Sequence, residues 1–272
     1  MRILDYGHLK ILTEEDVKFK GLSHYLKLKR TMNREPYSKP WATKYQARPS
    51  IGSCMYLCKE LKPTSYEDFY NKYVASGREW SYKDTAGRKS TLRGRTYDEL
   101  EEIAIRWKED CPGSKYPLST FYDAIILHAI IETFMGNKME MDARDKLHEN
   151  GFVTEDVTDD EDAKMGIDFK VYKGNELKFL MQVKPLRFFI STNRDTHNDR
   201  RNVYNKQADG NRLYPNVPYK YLIYDTLDAQ WIYNPVTNRC LFDYDELVSR
   251  TGSPMYGPHF FQEHKTDKLF RN

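Results

Sequence analysis

Two short extended runs joined by a tight turn constrain the fold of this chain more than any other feature. From Ile167 to Tyr172 apolar and polar residues alternate at period two, the pattern of a strand with one buried face. Lys173-Gly174-Asn175-Glu176 has the composition of a hairpin turn, and Leu177 to Val183 returns as a mostly apolar run expected at the centre of a sheet. Such a hairpin needs cover. A polar helix is expected before it over Glu140 to Asn150, with Met141, Ala143, Leu147 and Arg144 turned inward and Gly151 at its C' position. After it come a basic helix candidate, Asn198 to Asp209, a buried strand, Tyr219 to Asp225, and a further strand, Gln230 to Tyr233. The order implies an α/β fold with a central mixed sheet flanked by helices.

Upstream, Leu100, Ile103, Ala104 and Trp107 recur at helical spacing within Tyr97 to Lys108. Ser119 or Thr120 is placed to cap an apolar helix through Phe121, Ile125, Ile126, His128, Ala129, Ile130 and Phe134, which Gly136 and Asn137 are expected to break or kink. His128 on that apolar face reads as a satisfied core histidine. The first hundred residues read as an irregular, Tyr-rich region cut by Pro36, Pro40, Pro49 and Pro63, with one short aromatic helix over Tyr66 to Tyr73. Three regions follow from this pass: 1–115 as an N-terminal elaboration, 116–235 as the core, and 236–272 as an extension suited to a subunit contact.

The formal net charge of +3 says little about partners, but its distribution says more. Lys27 to Arg48 carries seven basic residues against Glu35, and Ser76 to Thr96 carries six against Glu79 and Asp84. Gly77, Gly87 and Gly94 suit a loop that follows a phosphate backbone, so Lys83, Arg88, Lys89, Arg93 and Arg95 are candidate DNA contacts. Arg194, Arg200 and Arg201 on the basic helix join them, with Lys206, Arg212, His197, Asn198 and Gln207 nearby and Tyr204 as a packing residue. Four cysteines without a His or Cys partner at ligand spacing predict neither a disulfide scaffold nor structural zinc. With no apolar leader after Met1 and no run of about 18 apolar residues, a cytoplasmic chain with no membrane span is expected.

The hairpin carries the chemistry. Gln182 and Lys184 stand two residues apart on one strand and share a face, and the Gly174 turn brings Asp168 to the same end. Three polar groups on an apolar strand pair need partners. A Mg²⁺ ion beside a phosphate supplies them: Asp168 as a hard oxygen ligand, the Gln182 carbonyl and the Val183 main-chain carbonyl as neutral ones, and Lys184 to stabilise developing charge and orient the attacking water.

Gly166-Ile167-Asp168, a hairpin, then Gln182-Val183-Lys184-Pro185 resembles the core of the PD-(D/E)xK nuclease superfamily, with a local likeness to MjaI-like restriction endonucleases. The resemblance covers residues 119 to 233. It implies a restriction-endonuclease-like core, Mg²⁺ as cofactor and cleavage of double-stranded DNA to 5'-phosphate ends. It also implies a helix carboxylate, assigned to Glu140 on Gly136 to Glu140 with Leu147 and Gly151, with Glu132 in reserve. A homodimer follows for a palindromic target. Two departures stand out: Gly166-Ile167 replaces the proline, and Gln182 replaces the usual acid. The rival expectations are a DNA-binding protein with a degenerate site, a structural or protein-interaction domain, and a nuclease for RNA or branched DNA.

Overall fold

The computed structural model describes residues 12–32, 51–52, 54–79, 93–111, 114–158, 160–185, 205–225, 230–233, 241–242 and 262–263. The chain divides into two compact units, Met1–Asn137 and Lys138–Asn272. The division at 137/138 falls inside a helix.

The first unit is helical: α1 (Leu22–Met32), α2 (Cys54–Leu61), α3 (Tyr66–Glu79), α4 (Tyr97–Glu109), α5 (Leu118–Ile126), a π-helical stretch Leu127–Glu132 and the start of α6 (Thr133–Glu149). Its N-terminal part is therefore not irregular where it is described. Tyr66, Phe69, Tyr70 and Tyr73 fall on one side of α3, and Leu100, Ile103, Ala104 and Trp107 form the buried side of α4, as their spacing predicts. Thr96 and Glu99 close a capping box at the start of α4. The aromatic residues pack with each other: Trp107 meets Phe121 edge-on at 4.8 Å between centroids. Cys54, Cys58 and Cys111 are buried free thiols.

Two expectations for the long helix fail. Its N-cap is Pro117, with no side-chain cap bond, rather than Ser119 or Thr120. Nor does it break at Gly136: helix runs from Leu118 to Glu149, 32 residues, and 72% of its most apolar window is buried within the protein. A glycine inside a helix costs about 1 kcal/mol, which burial of Phe134, Met135 and Met139 outweighs. By length and composition alone this helix is long and apolar enough to cross a membrane, a test that a mostly buried core helix also passes. It ends as expected, with Gly151 at φ +76° and the Phe152 N–H bonded to the Leu147 carbonyl.

The second unit is built on a mixed sheet of β1 (Val153–Asp156), β2 (Phe169–Lys173), β3 (Glu176–Pro185), β4 (Tyr219–Asp225), β5 (Gln230–Tyr233), β6 (Leu241–Phe242) and β7 (Gln262–Glu263). The order is β1-β2-β3-β4-β5-β7, with β6 also on β4. All pairs are antiparallel except β3 and β4, which run parallel. Gly174 turns the hairpin at φ +60°, and β3 is central, as expected. A parallel neighbour requires a crossover, and the described part of that connection is helical over 205–213.

Two helical segments cover the sheet on opposite faces. Arg144 of α6 lies 4.4 Å over the Phe169 ring, and Trp231 donates to Asp142 at 2.6 Å. This is the face of Met181 and Val183. The 205–213 helix covers the other face, where the Tyr221 hydroxyl bonds Gln207 at 3.1 Å. On α6 the inner residues are Met139, Ala143 and Leu147, while Met141 is 50% exposed, contrary to its predicted place.

Candidate functional site

β2 and β3 part company at residue 168. The Asp168 N–H bonds the Met181 carbonyl at 2.9 Å, out of step with the regular pairing of Phe169 with Met181. The Asp168 carboxylate then takes the place of a main-chain acceptor: its Oδ2 receives the Val183 N–H at 2.6 Å. A strand N–H lies in the plane of its sheet, so this bond sets the carboxylate at the edge of the fork, between residues 182 and 184 of β3. Of the expected neighbours, the main chain of Val183 is the one that Asp168 is seen to touch.

Gln182 is 2% exposed. Its Nε2 donates to the Gly166 carbonyl, while Oε1 is buried and finds no hydrogen-bond partner among the described residues. A buried acceptor left unpaired is costly, which makes it a candidate ligand atom. Lys184 lies two residues on, half-buried, on the same face. Their register partners on β4, Tyr221 and Ile223, share that face. The Tyr219 hydroxyl also donates to the Gly166 carbonyl, at 2.6 Å, and to Met165 O at 3.0 Å. Burial, with the charges of Tyr221, Asp168 and Asp162 adding to it, holds that hydroxyl well above the usual tyrosine range, so it stays a donor.

Glu140 arrives differently from the expectation. It is 13% exposed and paired with Arg144 at 3.1 Å. Arg144 in turn reaches the main-chain carbonyl of Asp168 at 3.4 Å and Asp156 at 2.9 Å. The helix carboxylate is thus linked to Asp168 through a guanidinium and through the backbone. Glu132 belongs to the other unit, where it accepts from or donates to His128 Nδ1 at 2.6 Å according to protonation; His128 is the satisfied histidine the sequence suggested.

The candidate phosphate contacts fare unevenly. Lys83, Arg88, Lys89, Arg194, Arg200 and Arg201 lie outside the described residues, as do His197, Asn198 and Tyr204. Arg93 and Arg95 are each 5% exposed, and the protein uses them itself. Arg93 pairs with Glu99 at 2.5 Å and bonds the carbonyls of Gly77 and Gly94, while Arg95 bonds the carbonyls of Arg93 and Gly94. Both guanidiniums are thus engaged within the fold of the first unit, which is a structural use of residues expected to contact DNA. Gly77 is there for close approach, since a Cβ would stand 2.6 Å from the Arg95 backbone. Arg212 is exposed and pairs with Asp209 at 3.0 Å.

A second buried charge cluster was missed by sequence reasoning. Glu161 accepts from Lys170 at 2.8 Å, from the Thr158 N–H at 2.8 Å and from the Tyr214 hydroxyl. Burial would raise its carboxyl, but these bonds outweigh it and bring the pKa down to about 2. The cluster ties the turn before Gly166 to β2 and to the segment after the 205–213 helix. Only the capping-like Thr158-x-x-Glu161 spacing hinted at it.

Among the described residues no group of three or more His, Cys, Asp or Glu side chains gathers to hold a metal. The oxygen donors at the fork are one carboxylate and one amide. That set suits Mg²⁺, which keeps several waters and takes its remaining oxygens from substrate phosphate, and it does not suit zinc. No family model, curated protein or solved structure matches this chain. The fold and site define a mixed α/β architecture with a polar strand fork.

Proposed function

We propose that this chain is a magnesium-dependent endonuclease that hydrolyses phosphodiester bonds of double-stranded DNA, with a core of the restriction-endonuclease kind. The observation that carries the reading is Gln182. Among the described residues its buried amide oxygen has no hydrogen-bond partner, one residue from the N–H that holds the Asp168 carboxylate and two residues from Lys184. The succession of helix, antiparallel hairpin, helical connection and parallel strand supports the reading as well.

Asp168 and the Gln182 amide oxygen hold the cation, with the Val183 carbonyl as a further oxygen. Bound there, Mg²⁺ supplies Lewis acidity to the phosphate and lowers the pKa of a coordinated water. Lys184 donates to a non-bridging phosphate oxygen, stabilises the charge that grows on it and orients the attacking water. Arg144 neutralises Glu140 and steadies the Asp168 backbone. Lys83, Arg88, Lys89, Arg194, Arg200 and Arg201 contact the phosphate backbone, and a two-fold pair of chains cuts both strands of a palindromic site.

The test is incubation of the full chain with mixed-sequence duplex DNA, with and without Mg²⁺, beside Asp168→Asn. Discrete fragments that require Mg²⁺ and disappear in the variant support the reading. Intact DNA under both conditions, or cleavage unchanged by the variant, overturns it. One observation favours a second reading, a DNA-binding protein that does not cut: the fork offers a single carboxylate, with Glu140 already paired to Arg144. Duplex binding without cleavage selects that reading.

A further inference from the structure

We infer that the Gly166 carbonyl is the positioning group of the metal site, one that makes residue 182 an amide by requirement and excludes the acid that the resemblance would put there. The inference rests on the nuclease reading above and deepens it.

The geometry is as follows. Gly166 follows a π-helical turn, Glu161–Met165, in the left-handed region at φ +66°. Its carbonyl accepts two hydrogen bonds, from Gln182 Nε2 and from the Tyr219 hydroxyl. A carbonyl oxygen has two lone pairs, so both are in use. The nitrogen and oxygen of a primary amide diverge from one carbon. Fixing Nε2 on Gly166 therefore fixes Oε1 away from it, and Oε1 is the atom left without a partner. A Cβ at 166 would stand 2.7 Å from Gln182 Nε2, so glycine also makes room for this amide.

A glutamate at 182 ionised to ligate the cation has no proton to give to the Gly166 carbonyl. One carboxylate oxygen would face the Gly166 carbonyl, acceptor against acceptor, at a site 2% exposed. The Tyr219 hydroxyl has one proton, already shared between Met165 and Gly166. The added negative charge, which by itself would tighten cation binding, therefore cannot be held in the ligand position. The same contact explains how the site keeps its geometry with one carboxylate fewer: the amide is pre-set by its nitrogen, not by the ion.

Two measurements on the full chain test this. The first is Mg²⁺ affinity by titration calorimetry for the wild type and Gln182→Glu. The expected result is affinity lower by roughly ten- to a hundredfold in the variant, the scale of a lost supporting contact at a metal ligand; equal or tighter binding overturns the inference. The second does not depend on the variant folding. The wild-type Gln182 side-chain NH₂ resonances, assigned by through-bond correlation to the Gln182 backbone, should be protected from solvent exchange before Mg²⁺ is added and should move on its addition. Fast exchange, or resonances indifferent to Mg²⁺, overturns the inference. Mg²⁺ binding with cleavage by the wild type, together with tighter binding by Gln182→Glu, leaves the nuclease reading standing and removes only the role of Gly166. A wild type that binds no Mg²⁺ removes both.

Discussion

The Asp168 carboxylate accepts the main-chain N–H of Val183 at 2.6 Å, which fixes an acid at the point where β2 leaves β3. A side chain here completes the edge of a sheet, and the same side chain is the charged ligand of the proposed metal site. Structure and chemistry can be separated at this residue by changing its charge alone.

Asp168→Asn keeps an oxygen for the Val183 N–H. The change from a charged to a neutral acceptor should cost about 1 kcal/mol of stability, read by thermal melting. Mg²⁺ affinity should fall by about a hundredfold or more, because a direct ligand loses its charge. Calorimetry on the folded variant checks it.

Arg144→Met should destabilise the second unit by about 3 kcal/mol, since it breaks an ion pair with Glu140 in which both side chains are almost buried. The double variant Arg144→Met, Glu140→Gln should recover most of that loss. Denaturant unfolding of the single and double variants measures it. Asp156, 89% exposed, contributes little.

The Glu161 cluster gives a pH dependence of defined sign. Its carboxyl sits at about 2, below its ordinary 4.5, so the folded state binds this proton less readily than the unfolded one. Its contribution is complete above about pH 4.5 and is lost as pH falls toward 2. Glu161→Gln should flatten the stability profile over that window and leave the profile above pH 5 parallel to wild type, as melting temperature against pH reports.

Arg93→Ala should act on the fold of the first unit and not on nucleic acid. Glu99 and two carbonyls lose a buried partner, at a cost of about 3 kcal/mol. For protein that remains folded, the slope of log affinity against log salt on duplex DNA should be unchanged. A phosphate contact would instead reduce that slope by about 1.

Much of this was legible because periodicity reports burial directly. The buried side of α4, the aromatic side of α3 and the antiparallel hairpin all emerge from spacing, although its first strand begins at Phe169 and leaves Ile167 and Asp168 outside it. What spacing missed has identifiable causes. Met141 stands about 200° around the helix from Ala143, so helical spacing itself puts it opposite the side formed by Met139, Ala143 and Leu147. Gly136 was read as a breaker because its local cost is visible in sequence, while the burial that offsets it is not. Arg93 and Arg95 look like any basic loop until Gly77 and Gly94 are seen to carry backbones that touch. The Gly166 contact joins residues 16 apart through one side-chain nitrogen, and no periodic signal encodes it.

The most direct test is the single-turnover rate of cleavage of a duplex substrate at saturating Mg²⁺ for the wild type and Lys184→Ala. Lys184 is half-buried beside the proposed ligands but is not one of them. The variant should bind Mg²⁺ as the wild type does and, with enzyme saturated by DNA, cleave about a hundredfold to a thousandfold more slowly, the scale of one lost donor to a developing oxyanion. Equal rates for the two proteins, or no cleavage by the wild type, would contradict the assignment of phosphodiester chemistry to this strand fork.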